Sequence, residues 1–254
     1  MYFIFDLDGT ICFGGKPVSE KILRALDHLK REGHEAIFAS ARPIRDMLPV
    51  IHERFHLHRM IGGNGSLMSE NGKVVDAQSF SENERHALLD LIHKYHATYL
   101  IDGDWDYAYT GSSNHPILRN VDPAGRARSV SLDRLDAMVK ALILTSDDQE
   151  KLAKEIAVLG VTIHEHRNEG VLDVSPAGIH KWSAIKQLGV EQGSFIAFGN
   201  DANDVTMFEH AGYRVRIGDH PLLSQAADES ISLEGDFEQS IAERIMELSR
   251  TFRE

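Results

Sequence analysis

The sequence has a single cysteine, no long apolar run and no block of basic residues, and each shortage excludes a class of protein. Cys12 cannot form an intrachain disulfide, which fits a reducing compartment. No apolar stretch approaches the roughly 20 residues that span a bilayer, and the chain starts in a strand pattern without a basic leader. We therefore expect a cytoplasmic protein with no membrane contact.

The charge balance bears on the partners. The formal net charge is −12, from 27 basic and 39 acidic residues. A polyanion needs a local basic surface, so this balance argues against nucleic acid as a partner. A small phosphorylated metabolite remains possible, because one or two cations in a pocket can hold it. We expect a monomer or a small homo-oligomer.

The alternation of strand and helix patterns predicts the fold. The alternating pattern is found at both ends of the chain, whereas the middle part of the sequence has a mixture of helix and hairpin patterns. The 254 residues are enough for a core with an insert. The sequence therefore predicts a doubly wound, Rossmann-like α/β core with a parallel sheet, formed by residues 1–80 and 179–254. An inserted α+β cap domain is predicted at residues 81–178.

Two aspartates, Asp6 and Asp8, directly follow the apolar strand pattern of residues 2–5. Burying like charges side by side costs several kcal/mol unless a cation or protons offset them. A turn alone would need only one Asp and a Gly, whereas here Gly9 and Thr10 follow two acids. The pattern therefore indicates a divalent ion and a carboxylate nucleophile.

A second cluster of oxygen ligands follows the apolar run 195–198, in the turn 199–204. Ser40 and Asn64 likewise follow predicted strands. Ligands of parallel α/β sheets bind beyond the carboxyl ends of the strands. Mg²⁺ is bound by a few protein oxygens and keeps other positions for water and substrate. These strand ends are thus the predicted site of the metal and of the substrate.

In order along the chain, these motifs resemble those of the haloacid dehalogenase (HAD) superfamily, and more narrowly the Cof-type phosphatases with the α/β cap called C2B. Taken singly, each motif has an ordinary explanation as a turn, a helix cap or a surface lysine. The resemblance covers the whole chain, and the segments that carry it are residues 6–10, 38–43, 64–66, 178–182 and 199–207.

The resemblance implies roles for the charged residues. Asp6 would attack phosphorus and form an aspartyl-phosphate. Asp8 would protonate the leaving alcohol and then activate water, and its backbone carbonyl would bind the metal. Lys181 would neutralise the transferring phosphoryl group and keep the two acids ionised.

The resemblance also implies the groups that bind phosphate and metal. Ser40 and the backbone amide of Ala41 would hold phosphate oxygens, together with Asn203. Mg²⁺ would be bound by Asp6, Asp8 and Asn200. Asp204 would orient the surroundings of the metal or of Lys181.

The chain departs from the family pattern at two places. Asn200 stands where relatives usually carry Asp, which removes one charge and should lower the affinity for Mg²⁺. Asp201 could compensate from the next position. Ser40 and Ala41 replace Thr-Gly, and the serine keeps the hydroxyl.

Four further residues are candidates for substrate contact: Asn64, Arg42, Trp105 and Arg167. Trp105 has an alternative place in the core of the cap sheet. Arg167 has an alternative place in a solvated hairpin.

The resulting prediction is a Mg²⁺-dependent phosphomonoester phosphatase. Its substrate would be a small metabolite such as a sugar phosphate or a phosphorylated cofactor. One alternative is a phosphomutase with the same nucleophile, which would need a second phosphate site. Another is a non-catalytic binding protein on this fold, supported only by Asn200.

Overall fold

The computed structural model describes residues 1–164 and 170–252, which form two separate β-sheets with helices packed against them. The strands in these ranges are β1 Tyr2–Phe5, β2 Glu35–Ala39, β3 Met60–Gly62, β4 Leu67–Glu70, β5 Lys73–Ala77, β6 Thr98–Asp102, β7 Tyr107–Tyr109, β8 Lys140–Thr145, β9 Thr162–His164, β10 Leu172–Ser175, β11 Phe195–Gly199, β12 Tyr213–Ile217 and β13 Glu229–Ile231. The helices are α1 Glu20–Arg31, α2 Ile44–Met47, α3 Glu82–Lys94, α4 Gln149–Val158, α5 Lys181–Gln187, α6 Val205–Phe208, α7 Pro221–Ser224 and α8 Phe237–Thr251.

The first sheet has eight strands in the order β13-β12-β11-β1-β2-β3-β4-β5. The strands from β13 to β3 pair in parallel, and the hairpin β4–β5 continues the sheet antiparallel. Asn71 and Gly72 form the hairpin turn with φ values of 51° and 75°, as their left-handed preference predicts. The order reverses around β1, which is the doubly wound arrangement predicted from the sequence.

Burial on both faces of this sheet explains its apolar strands. In β1, Phe3 and Phe5 face one hydrophobic core, to which α1 and α8 contribute, while Ile4 faces a second core with residues of α5 and α6. A strand that is covered on both faces reads as a continuous apolar run rather than an alternating one. The polar residues that follow β1 therefore lie at the carboxyl edge of the sheet.

The second sheet has five strands in the order β7-β6-β8-β10-β9, all antiparallel. One face carries Ile101, Ala141 and Val174, which pack with Leu88 of α3 and Leu152 of α4. The other face is not covered by these helices. The separate antiparallel sheet agrees with the predicted α+β insert.

We propose the domain boundaries at residues 80 and 178 from the path of the chain. It leaves the first sheet after β5 and returns to it at β11. Two short regular elements were not predicted, namely the helix α7 and the edge strand β13, because three or four residues carry too little periodicity. In residues 1–164 and 170–252, no helix has the length and apolar composition needed to cross a bilayer.

Candidate active site

A cavity of about 310 Å³ lies where the carboxyl ends of the parallel strands meet the second sheet. The loops after β1, β2 and β11 supply the residues on its core side. These are Asp6, Asp8, Ser40, Ala41, Arg42, Asn200, Asp201 and Asn203. The structure thus brings together most of the site residues that the sequence predicts, although they are far apart along the chain.

The turn after β1 is held by its backbone. The carbonyl oxygen of Leu7 accepts from the amides of Thr10, Ile11 and Cys12. Gly9 has φ of 82°, in the left-handed region. The hydroxyl of Thr10 donates to Oδ1 of Asn200 at 3.1 Å, and this bond ties the turn to the loop after β11.

Replacing Gly9 by alanine should destabilise the protein by two effects. A Cβ there would lie 2.1 Å from Nδ2 of Asn200, and φ of 82° is strained for alanine. Together they should lower the free energy of unfolding by about 2–3 kcal/mol, measured by urea denaturation. Gly14→Ala is the matched control: φ is 62°, and no described atom lies within 4 Å of its Cβ. It should cost about 1 kcal/mol. Equal losses would show that contact with Asn200 is irrelevant.

Lys181 is the electrostatic centre of the site. It opens α5, is fully buried, and its Nζ donates to Oδ1 of Asp6 and to Oδ1 of Asp204, both at 2.6 Å. Burial acts to lower the pKa of Lys181, but the charges of Asp204 and Asp6 outweigh it and raise this pKa overall. The ammonium group therefore stays charged between the two carboxylates.

Asp204 also organises the loop after β11. Its Oδ2 accepts the backbone amides of Asn200 and Asp201 at 2.9 and 3.1 Å. Gly199 cannot carry a side chain here, because a Cβ would lie 2.6 Å from the Asp204 carboxyl carbon. Oδ1 of Asp201 accepts from the amide of Ala202, so this carboxylate caps the following turn.

The two side-chain oxygens of Asp6 differ in their hydrogen bonding. Its side chain is buried, and among the described residues its Oδ2 has no hydrogen-bond partner. Burial raises the pKa of Asp6 to about 7, against the opposing effect of Lys181 and with a further rise from Asp204 and Asp8. A buried carboxylate with a free oxygen and a raised pKa would be stabilised in its ionised form by a cation.

The donor set fits a hard divalent cation. Asp6 lines the same cavity as Asp8 and the half-buried Asn200. Over residues 1–164 and 170–252, no group of three or more His, Cys, Asp or Glu side chains has metal-binding geometry. The predicted set does not require one, because it uses a backbone carbonyl of Asp8 and the amide oxygen of Asn200, both of which are hard oxygen ligands.

Asp8 is held by a forked ion pair. Nε and Nη2 of Arg42 donate to its two carboxylate oxygens at 2.7 and 2.6 Å. Burial acts to lower the pKa of Arg42, but its bonds to Asp8 outweigh this and raise it. The planar guanidinium fixes the orientation of the carboxylate. Arg42, predicted to contact substrate, thus contacts Asp8 here.

The loops after β2 and β3 are joined by hydrogen bonds. Ser40 is buried, its amide donates to the carbonyl of Ile61, and its own carbonyl accepts from the amide of Asn64. The hydroxyl oxygen of Ser40 accepts from the amide of Arg42 at 3.1 Å. This arrangement turns the segment 40–42 around the cavity, where Ser40 and Ala41 line its wall.

Asn64, also predicted from the sequence, is fully buried and has φ of 60°. Its Nδ2 donates to Asp173 of the second sheet at 3.0 Å, and its Oδ1 accepts from Nδ2 of Asn203 at 3.1 Å. A left-handed non-glycine residue costs about 1 kcal/mol or more. The two bonds hold Asn64 behind the cavity lining, next to Asn203.

The second sheet forms the opposite wall with residues that sequence reasoning missed. Asp102 and Leu100 of β6 and Lys140 and Leu142 of β8 alternate along the uncovered face, and Asp173 of β10 lies beside them. The available signal was a charged residue within an apolar strand pattern or directly at its end. The loop between β7 and β8 adds Ile117, Asn120 and Val121.

Of the two cap residues predicted to contact substrate, only Trp105 lies within the described residues. Trp105 packs partly buried against the main hydrophobic core, and its Nε1 donates to the carbonyl of Arg126 rather than into the cavity. Its carbonyl accepts from Arg45, whose guanidinium also bonds Asp102 at 2.5 Å. Arg167 lies outside the described residues.

Comparison with known proteins identifies the family of this chain. The family model for haloacid dehalogenase-like hydrolases matches residues 3–243. The 5-amino-6-(5-phospho-D-ribitylamino)uracil phosphatase YitU of Bacillus subtilis is 23% identical over 241 residues, covering 84% of this chain and 84% of YitU. The HMP-PP phosphatase of Cronobacter sakazakii is 26% identical over 239 residues, covering 84% of this chain and 82% of that protein.

A solved structure shares the fold. The HAD subclass IIB sugar phosphatase BT4131 superposes with a TM-score of 0.79 at 17% identity, covering 97% of this chain and 98% of that one. The predicted assignment to an enzyme class, phosphoric monoester hydrolase, is confirmed by the family match and by the phosphatases among its relatives. With a family model matched over residues 3–243, the chain belongs to the haloacid dehalogenase-like hydrolases.

Proposed function

We propose that the protein is a Mg²⁺-dependent phosphatase that hydrolyses small phosphomonoesters through an aspartyl-phosphate on Asp6. The observation that carries this proposal is the buried Lys181, bonded at 2.6 Å to both Asp6 and Asp204, beside an Asp6 oxygen that no described residue uses. An arrangement that served stability alone would have no reason to leave a buried carboxylate oxygen unpaired at a cavity.

In the first step, Oδ2 of Asp6 attacks phosphorus while the bond between phosphorus and the leaving oxygen breaks. Asp8 acts in this step in its protonated form, with one of its two bonds to Arg42 released, and gives its proton to the leaving oxygen, so that the alcohol departs neutral. The forked pair with Arg42 belongs to the ionised form of Asp8, which accepts the proton in the second step. In the second step, Asp8 takes a proton from water, which attacks the aspartyl-phosphate and regenerates Asp6.

The phosphate is bound by donors from three loops. Ser40 supplies its hydroxyl, Ala41 its amide, and Asn203 the second N–H of an amide whose first is bonded to Asn64. Lys181 offsets the charge on the transferring group. Asp6, Asp8 and Asn200 would hold Mg²⁺, which neutralises phosphate charge and positions the phosphoryl group.

The proposed substrates are small, soluble metabolites, either sugar phosphates or phosphorylated cofactors. The cavity of about 310 Å³ suits a molecule of that size. The relatives support the class, since they are named for a phosphorylated ribitylamino-uracil, for HMP-PP and for sugar phosphates. We propose that the enzyme acts in the cytoplasm.

The function is tested by phosphate release from a panel of phosphorylated metabolites, with and without Mg²⁺. Fast, Mg²⁺-dependent hydrolysis of one compound would establish a dedicated phosphatase. Slow hydrolysis of many would indicate a generalist that is still a phosphatase. No release at millimolar Mg²⁺ would contradict the proposal, and transfer to a second sugar hydroxyl would then support the mutase alternative.

The substitution Asn200→Asp should restore the charge that relatives carry. We expect the Mg²⁺ concentration at half-maximal activity to fall about 10-fold, because a carboxylate binds a hard cation more tightly than an amide does. Without Mg²⁺ the added charge should repel Asp6 and Asp8 and lower the melting temperature.

Both quantities are measurable on one preparation, by Mg²⁺ titration of activity and by thermal denaturation with EDTA. Asp201→Asn is the matched comparison at the neighbouring position. Asp201→Asn could raise the Mg²⁺ concentration at half-maximal activity while Asn200→Asp leaves that concentration unchanged. This result would show that the metal is bound through Asp201 instead.

A further inference from the structure

Two residues of the second sheet form a buried ion pair over the active site. Nζ of Lys140 lies 3.0 Å from Oδ2 of Asp173, and the side chains are 5% and 1% exposed. They come from the neighbouring strands β8 and β10. Removing two charges from water costs several kcal/mol, so a buried pair is weak evidence for a purely stabilising role.

Lys140 reaches across to the first sheet's loops. Its Nζ donates to the carbonyl oxygen of Ala41 at 2.7 Å. This carbonyl belongs to the peptide that continues into Arg42, whose amide is bonded to the Ser40 hydroxyl and whose side chain holds Asp8. Lys140 therefore fixes the segment that carries the proposed phosphate donors after β2.

Asp173 reaches the other two loops. Its Oδ2 accepts from Nδ2 of Asn64, and Oδ1 of Asn64 accepts from Nδ2 of Asn203. A primary amide has one oxygen and two N–H groups, so these bonds decide which end of each amide faces which way. Asn203 is thereby set with its remaining N–H available to the cavity, which it lines.

We propose that Lys140 and Asp173 are positioning residues that arrive with the cap and lock the phosphate-binding loops after β2, β3 and β11 into one arrangement. This inference rests on the proposed function and deepens it. Neither residue needs to touch the phosphate, because Lys140 acts through Ala41 and Asp173 acts through Asn64 and Asn203. Tight phosphate binding then requires the cap to be seated.

The competing explanation is adhesion of the cap to the core. The structure offers a comparator for it, since Arg45 of α2 bonds Asp102 of β6 at 2.5 Å in a buried pair at the same interface. That pair has no bond to Ala41, Asn64 or Asn203 in the described part of the chain. Arg45→Met should weaken adhesion without disturbing the phosphate donors, because Arg45 does not line the cavity.

The test measures the dissociation constant of inorganic phosphate by calorimetry in the presence of Mg²⁺. We expect Asp173→Asn and Asn203→Ala each to weaken binding about 10-fold, and the double variant to bind within about twofold of Asn203→Ala alone. The effects should not multiply, because both act through the same amide. Arg45→Met combined with Asn203→Ala should instead show independent effects on the dissociation constant.

Lys140→Met tests the second route and remains informative if an Asp173 variant fails to fold. It too should weaken phosphate binding about 10-fold, whereas the exposed cap variants Lys154→Met and Asp104→Asn should bind as the wild type does. Wild-type affinity in Asp173→Asn and Lys140→Met, or fully multiplying effects in the double variant, would overturn the inference.

The proposed function fails by a different result. Phosphate release from the substrate panel tests that function, whereas calorimetry with inorganic phosphate does not depend on turnover. A wild-type protein that binds phosphate but hydrolyses nothing would contradict the proposed phosphatase function. The positioning role of Lys140 and Asp173 could still be tested by calorimetry on that protein. A wild-type protein that binds no inorganic phosphate would overturn the positioning role.

Discussion

Asp6→Asn should abolish Mg²⁺-dependent phosphate release, with a fall of at least about 1000-fold in kcat/KM. The amide is isosteric with the carboxylate but cannot attack phosphorus. It can still accept a hydrogen bond from Lys181, which keeps its bond to Asp204 at 2.6 Å. Folding should therefore survive the change.

The same variant should be at least as stable as the wild type without Mg²⁺. The folded-state pKa of Asp6 is raised from 3.8 to about 7, chiefly by burial. The folded state then holds a proton that the unfolded state releases, so the metal-free wild type loses stability as the pH rises through about 4 to 7. Asp6→Asn removes this loss. The free energy of unfolding of the variant should therefore exceed that of the metal-free wild type by an amount that grows with pH over that window.

Urea denaturation with EDTA at pH 5 and pH 7 measures the stability, and hydrolysis of p-nitrophenyl phosphate measures the activity. The control is Asp90→Asn, an exposed position on α3, which should change neither. Retention of more than about a tenth of the activity by Asp6→Asn would exclude Asp6 as the nucleophile. A large loss of stability would show that its charge is structural.

Lys181→Met is the second substitution with a large expected effect. The ammonium is fully buried between Asp6 and Asp204, so its removal leaves two buried carboxylates without a cation. Breaking a buried pair by removing one partner costs about 3–5 kcal/mol. We expect the free energy of unfolding to fall by about that amount and kcat to fall at least about 100-fold.

Two comparisons separate stability from catalysis. Lys186→Met lies on the same helix at an exposed position and should change unfolding by no more than about 0.5 kcal/mol. The double variant Lys181→Met/Asp204→Asn removes one of the stranded charges and should regain part of the stability. It should not regain activity, because the phosphoryl group still lacks its counter-charge. Recovery of activity in the double variant would assign Lys181 a structural role only.

The residues that the sequence predicts on the core side of the site lie close together in the structure. Asp6, Asp8, Ser40, Ala41, Asn200 and Asn203 all line the cavity, and Lys181 and Asp204 form the buried pair beneath it. Each follows a strand end or opens a helix, where local pattern and motif order are informative. The roles of these residues remain proposals that the substitutions above test.

Three charged residues on the cap side were not predicted, for a physical reason. Asp102, Lys140 and Asp173 line the cavity, whereas Trp105, for which the sequence left a core position and a substrate contact open, packs against the main core. Asp102 ends β6, Lys140 begins β8 and Asp173 lies within β10, and no motif surrounds any of them. Whether such a charge faces a helix layer or a cavity depends on how the second sheet is placed over the first.

What the sequence determined by itself is therefore local. Apolar strands that are buried on both faces force their polar continuations to one edge of the sheet, and a spacing of two residues puts Asp6 and Asp8 together there. Tertiary structure alone decided the pairings across long separations. The hydrogen bond between Lys181 and Asp6 joins residues that are 175 positions apart in the sequence. The separation is 99 positions for Lys140 and Ala41, and 109 for Asn64 and Asp173. No periodicity encodes these contacts. The first forms when α5 packs on the first sheet, and the other two form only when the two sheets have packed against each other.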